Sequence, residues 1–87
     1  IFIKKNIRDK ILKFFKNNGI GVSIHYAKPI PDMIYYKKKY KLNLNNFNNS
    51  KIYADTNISL PISEYMSVEQ VKYICKKLLL AIKIYDK

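Results

Sequence analysis

The stretch GIGVSIHY, residues 19–26, holds both glycines and the only histidine of this 87-residue chain. Its large apolar side chains alternate with small or polar ones, which is typical of a half-buried β-strand. The small or polar set would share one face of that strand: Gly21, Ser23 and His25. Because two of these three side chains are nearly absent, we expect that a ligand or another surface can approach the backbone closely beside His25.

A helix is predicted immediately before this strand. Asn6 is a suitable N-cap residue, and Asn17-Asn18-Gly19 supplies a stop in which the glycine adopts a left-handed conformation. Between these signals the apolar residues recur at the spacing of one helical face. They are Ile7, Ile11, Leu12, Phe14 and Phe15.

A second long helix is predicted near the end of the chain. Ser67-Val68-Glu69-Gln70 forms a capping box, and the helix should then continue to about Tyr85. Its apolar stripe consists of Val71, Ile74, Cys75, Leu78, Leu79 and Ile82. We expect this stripe to pack in the core, with Cys75 as a small buried residue, although a basic amphipathic helix on a membrane surface would show the same periodicity.

Shorter elements are predicted between the two long helices. In chain order they are a break at Pro29 and Pro31, a short helix within 32–40, an asparagine-rich loop over 41–49, a short helix over 51–55 capped by Ser50, and a strand over 57–61. With Ile1-Phe2-Ile3 as a further strand, this order predicts one α/β (α+β) domain over residues 1–87. We expect a two-layer sandwich, in which a small, mostly antiparallel sheet carries helices on one face.

The net charge of +11 raises the possibility of a polyanionic partner. All but one of the 17 basic residues are lysine, however, and phosphate recognition favours arginine. A compositional bias of the coding sequence is the simpler explanation for so many lysines. Tyr35, Tyr36 and Tyr40 nevertheless lie among lysines, and platforms for single-stranded nucleic acid combine aromatic and basic residues in this way. A free-standing basic α/β module that binds single-stranded nucleic acid therefore remains the alternative function.

Several kinds of chemistry are not expected from the residues present. The single histidine and the single cysteine lie far apart in the sequence, so no zinc site is predicted. No phosphate-binding glycine loop and no nucleophile elbow occurs. The longest apolar run, Leu78 to Ile82, is too short to span a bilayer, and no signal peptide is visible, so we predict a cytoplasmic protein. No catalytic, cofactor-binding or metal-binding residue is predicted.

Four motifs in order resemble the C-terminal part of the DegT/DnrJ/StrS-type aminotransferases. They are RDKILKFF from Arg8, NGIGVSIHYAKP from Asn18, ISLPI from Ile58 and SVEQ from Ser67. The resemblance implies the small domain of a fold-type I enzyme that uses pyridoxal phosphate to aminate nucleotide-linked keto sugars. Such enzymes serve amino-sugar and surface-polysaccharide biosynthesis. A larger cofactor-binding domain normally precedes this part, and Ile1-Phe2-Ile3 reads as a strand already under way, so we expect residues before Ile1.

The same resemblance implies a set of substrate-binding residues. The histidine and tyrosine that lie near the sugar nucleotide in the family correspond to His25 and Tyr26, with Lys28 and Tyr36 as weaker candidates nearby. No lysine matches the motif of the Schiff-base lysine, so this chain alone is not expected to bind pyridoxal phosphate or to be active. The parent enzyme would use a nucleotide sugar and an amino-acid donor, as a homodimer. Family members often have another histidine shortly after the proline that corresponds to Pro29. This chain has none there, so the resemblance does not indicate which keto sugar is the substrate.

Overall fold

The structure is a computed structural model that describes residues 1–86. Within these residues there are four α-helices and two short 3₁₀ turns, Ile30–Asp32 and Leu44–Asn46. The α-helices are α1 (Lys5–Asn17), α2 (Ile34–Lys39), α3 (Asn48–Thr56) and α4 (Val68–Tyr85). Three non-helical segments, residues 1–3, 20–25 and 57–61, pass beside one another and supply the hydrogen bonds that join the helices.

The predicted sheet is wrong. Helices and helical turns take up 60% of the chain and bridge residues only 5%, and no sheet forms among residues 1–86. The segment 57–61 makes one antiparallel bridge to each neighbour, Phe2 to Asn57 on one side and Ser23 to Ser59 on the other. The two-layer α/β sandwich is therefore replaced by a helical structure in which three short segments meet at isolated bridges.

The pairing between Ser23 and Ser59 ends after one residue pair for a local reason. These two residues exchange both backbone hydrogen bonds, at 3.3 and 2.8 Å. In an antiparallel ladder the next hydrogen-bonded pair on one side would be Gly21 with Pro61, and proline has no N–H to donate. The ladder therefore cannot continue toward Pro61.

On the other side the next pair would be His25 with Asn57, and the backbone of Asn57 is already engaged. Its N–H donates to the carbonyl of Tyr53 at 3.1 Å, which ends α3. Its carbonyl accepts a hydrogen bond from the guanidinium of Arg8 at 3.2 Å. The N–H of His25 bonds instead to the side-chain oxygen of Asn57 at 2.9 Å, and the segments separate without forming a strand pair.

Arg8 is a buried side chain that joins α1 to the end of α3. Its guanidinium donates to the carbonyl of Ala54 at 2.9 Å as well as to that of Asn57. Its Nε forms an ion pair with the exposed carboxylate of Asp9 at 2.6 Å. A cation at the C-terminal end of a helix is favourable, and here it donates to two backbone carbonyls, of which that of Ala54 is also 3.4 Å from Asn57 Nδ2.

The core lies where α1 and α4 pack against each other and against the inner side chains of the three segments. Its buried residues are Ile7, Ile11, Phe15, Ile20, Ile58, Ile74 and Ala81. At the edge of this core Phe14 and Tyr85 meet edge to face, with 6.3 Å between ring centroids. The apolar face predicted for the first helix is thus confirmed as core.

The helix ends confirm some capping predictions and correct others. The capping box of α4 is present: Gln70 Oε1 accepts from the Ser67 N–H at 2.9 Å, and Ser67 Oγ accepts from the Gln70 N–H at 3.2 Å. Gly19 has a φ of 72°, as the predicted stop of α1 requires. Asn6 is not the N-cap, because α1 begins at Lys5 without a side-chain cap.

The apolar stripe of α4 is only partly buried. Ile74 and Ala81 lie in the core, and Leu78 and Ile82 pack against it. Val71 and Leu79 are 47% and 68% exposed, and Cys75 is also exposed, so its predicted burial is wrong. The stripe is wider than the surface that α1 covers, which leaves one flank of α4 in solvent. No helix among residues 1–86 is long and apolar enough to cross a membrane.

We predict that Arg8→Met lowers the free energy of unfolding by about 2–3 kcal/mol, because the carbonyls of Ala54 and Asn57 lose a charged donor in a buried place. Urea denaturation followed by circular dichroism measures the change. Lys13→Met, on the exposed side of the same helix, is the matched control and should change stability by less than about 0.5 kcal/mol. Equal effects of the two substitutions would contradict a special role for Arg8.

Candidate functional site

The imidazole of His25 lies beside two serine hydroxyls. Its Nδ1 is 2.8 Å from Oγ of Ser59 and 3.5 Å from Oγ of Ser23. The bridge between Ser23 and Ser59 brings these two residues opposite each other, and His25 follows Ser23 by two positions. No atom lies within 4 Å of the place where a Cβ on Gly21 would sit, so this part of the surface is open. The ring of His25 is therefore anchored at one nitrogen and exposed.

The backbone at His25 is held by the side chain of Asn57, which is only 4% exposed. Asn57 Oδ1 accepts a hydrogen bond from the His25 N–H at 2.9 Å. Its Nδ2 donates to the carbonyl of Tyr53 at 2.8 Å and lies 3.4 Å from the carbonyl of Tyr26. One amide thus ties the end of α3 to the residues that carry the candidate site.

Neither Asn57 nor Ser59 is among the predicted site residues. A signal was nevertheless present, because these two polar residues alternate with the apolar Ile58 and Leu60. Alternation of this kind predicts that Asn57 and Ser59 share one face, in the same way that Ser23 and His25 do. The missing information was the register, which places the two polar faces side by side.

Tyr26 and Lys28 lie next to His25 and line a surface cavity of about 450 Å³. The rings of His25 and Tyr26 meet edge to face, with 5.4 Å between centroids. Tyr26 is 70% exposed, so most of its ring is available for contact. Tyr53 of α3 and the segment Pro29–Pro31 complete much of the cavity wall. Two of the four predicted site residues thus line the cavity, and His25 is joined to them through its ring contact with Tyr26.

Tyr36, the fourth predicted residue, lies in a different cluster on α2. It packs edge to face on Tyr35 and stacks on Tyr40, with 6.5 Å between the latter ring centroids. The ammonium of Lys39 lies over the rings of Tyr35 and Tyr40 at 5.5 and 5.4 Å. Tyr36 does not line the cavity that Tyr26 and Lys28 share. Its contact with a substrate stays a prediction.

Comparison with known families assigns the chain to a class of transferase. The model of the DegT/DnrJ/EryC1/StrS aminotransferase family matches residues 1–79. Because this match covers nearly the whole sequence, the chain belongs to the DegT/DnrJ/EryC1/StrS aminotransferase family, which confirms the resemblance in the sequence motifs. Neither the curated proteins nor the solved structures gave a match. These comparisons give no support to a nucleic-acid-binding module.

The aminotransferase family implies pyridoxal phosphate, and the described residues do not fit its covalent attachment. A Schiff-base lysine is typically activated by desolvation in a pocket. No lysine among residues 4–83 is buried. Lys28 lines the cavity but is exposed. Within residues 1–86 there is also no group of three metal-binding side chains. We therefore derive no chemical step through the cofactor.

We predict that Asn57→Ala lowers the free energy of unfolding by about 2–3 kcal/mol and speeds exchange of the His25 amide proton. Both effects follow from removal of the side chain that accepts from the His25 N–H and gives the Tyr53 carbonyl its second donor. Urea denaturation and amide hydrogen exchange measure them. Asn46→Ala, at an exposed position, is the control. An unchanged exchange rate at His25 would contradict this role.

Proposed function

We propose that this chain is the C-terminal domain of a pyridoxal-phosphate-dependent aminotransferase that acts on nucleotide-linked keto sugars. In this proposal the surface around His25 forms one wall of the sugar-nucleotide site. The observation that carries it is a surface cavity lined by an exposed tyrosine and a lysine, with an anchored imidazole against the tyrosine ring, in a chain of the aminotransferase family. The proposed pathway is amino-sugar or surface-polysaccharide biosynthesis.

His25 supplies a hydrogen-bonding group for the sugar nucleotide in this site. Its Nδ1 faces Ser59, so Nε2 is the ring nitrogen left for a ligand. Nε2 can bond a hydroxyl, carbonyl or phosphate oxygen, all of which a nucleotide-linked keto sugar offers. The role of His25 is thus to bind and orient the sugar, and no proton transfer is assigned to it.

Lys28 and Tyr26 supply charge and an aromatic surface. Lys28 is the only charged residue among those that line the cavity, and the diphosphate of a nucleotide sugar is its natural electrostatic partner. The exposed ring of Tyr26 offers an apolar face for the sugar or the base. The only arginine is not available for this purpose, because Arg8 is buried and bonded to backbone carbonyls.

The remaining parts of the reaction belong to the rest of the parent enzyme. When bound there, pyridoxal phosphate supplies the electron sink for amino transfer from an amino-acid donor. We propose a homodimeric, cytoplasmic enzyme, in keeping with the family resemblance. The present residues contribute binding and orientation of the acceptor sugar, and this division explains why the chain needs no buried lysine.

In the product of the full reading frame that contains these 87 residues, we predict that His25→Ala lowers kcat/KM for the sugar nucleotide by about tenfold to a hundredfold. The absorbance of the bound cofactor should stay unchanged, because His25 contacts only the acceptor. Steady-state kinetics and a visible spectrum of the same preparation test both points. A variant that loses the cofactor band would show that His25 has been assigned to the wrong ligand.

Lys28→Gln tests the electrostatic part of the site. We expect KM for the sugar nucleotide to rise about threefold to tenfold, with kcat nearly unchanged and the difference from wild type smaller at high salt. Lys41→Gln removes the same charge at an exposed position that does not line the cavity and serves as the control. If the two variants behave alike, the effect of Lys28 is only its share of the net charge.

A further inference from the structure

Ser59 holds an unusually well-defined place beside His25. Its backbone N–H and carbonyl both bond to Ser23, so the Cα of Ser59 is held at the bridge. From there its hydroxyl approaches Nδ1 of His25 to 2.8 Å, a full-strength hydrogen bond, while the hydroxyl of Ser23 remains at 3.5 Å. Ser59 is therefore the main partner of the ring.

The backbone of His25 is held independently of its ring. The N–H of His25 bonds to the buried amide of Asn57 at 2.9 Å. A side chain that is fixed at its backbone and at one ring atom loses most of its rotamer freedom before any ligand binds. The conformational entropy of the His25 side chain is then lost during folding and not during ligand binding, and the ring presents Nε2 in one direction.

We propose that Ser59 is a positioning residue, whose hydroxyl donates to Nδ1 of His25 and holds the imidazole with a protonated Nε2 directed outward. The structure fixes the 2.8 Å contact between Ser59 Oγ and Nδ1, and the proposal assigns the hydroxyl as its donor. An outward Nε2–H is a hydrogen-bond donor, so it selects an oxygen acceptor on the ligand, such as a carbonyl or a phosphate. The choice of that ligand rests on the proposed function, but the placement of the ring does not.

Nuclear magnetic resonance of the 87-residue chain tests this placement without any ligand. His25 is the only histidine, so ¹³C,¹⁵N-histidine labelling gives one set of ring signals. At about pH 8, above the usual range of histidine titration, we expect Nδ1 to resonate as an unprotonated nitrogen and the χ1 couplings to report one rotamer. Ser59→Ala should lose the single-rotamer couplings and raise the population of the Nδ1–H tautomer.

Two further variants separate this role from a general structural effect. Ser59→Thr keeps a hydroxyl and should restore the single rotamer, whereas Ser23→Ala removes only the hydroxyl at 3.5 Å and should leave the ring as in wild type. Circular dichroism confirms that each variant is folded. A protonated Nδ1 in the wild-type chain, or unchanged couplings in folded Ser59→Ala, would overturn the proposal.

The magnetic-resonance test of Ser59 does not depend on which ligand the site binds. If the ring is fixed as described but the full-length His25→Ala enzyme keeps its activity toward sugar nucleotides, the proposed function fails and the role of Ser59 stands. If the ring is mobile in the wild-type chain, the role of Ser59 fails even where His25 proves essential for turnover.

Discussion

The buried amide of Asn57 is the interaction on which the other parts of this structure depend. The side-chain amide of Asn57 bonds to the end of α3 and to the peptide groups of His25 and Tyr26. The backbone carbonyl of Asn57 accepts from the guanidinium of Arg8. A primary amide can accept and donate at the same time, and burial makes each unpaired group costly. The side-chain amide joins α3 to the candidate site, and the backbone carbonyl of the same residue joins α1 to both, with no sheet among residues 1–86 to support them.

Local sequence signals predicted the two long helices well, because periodicity and end signals lie within a few residues of one another. The capping box of α4 and the glycine stop of α1 are of this kind. Whether a sheet forms could not be predicted from such local signals. Whether His25 pairs with Asn57 depends on Arg8, which takes the Asn57 carbonyl from 49 positions away. Alternation indicates which residues could form a strand, but it does not indicate whether their backbone groups are already engaged.

In the candidate site, too, local signals located some residues, whereas contacts between distant segments determined the others. The family motifs pointed to His25 and Tyr26. Tyr26 and Lys28 line one cavity, and the ring of His25 meets that of Tyr26 edge to face. Tyr36 lies in a separate aromatic cluster because α2 follows a turn that carries it away from the bridge. Ser59 and Asn57 were missed since their importance comes from the partner segment and not from their own neighbours in sequence. The exposed flank of α4 was missed for a similar reason, because periodicity does not tell how wide a surface the facing helix covers.

The network around Asn57 also limits how this chain can change during evolution. Asn57 holds the peptide N–H of His25 with its side chain, whereas Arg8 donates to its backbone carbonyl, so the two contacts constrain different positions. The amide side chain is expected to be retained at position 57 across homologues, and loss of the arginine to be tolerated only where another donor serves the α3 carbonyls. Tyr26 and Lys28, whose side chains line the cavity and lie outside these hydrogen bonds, are freer to diverge without loss of the fold.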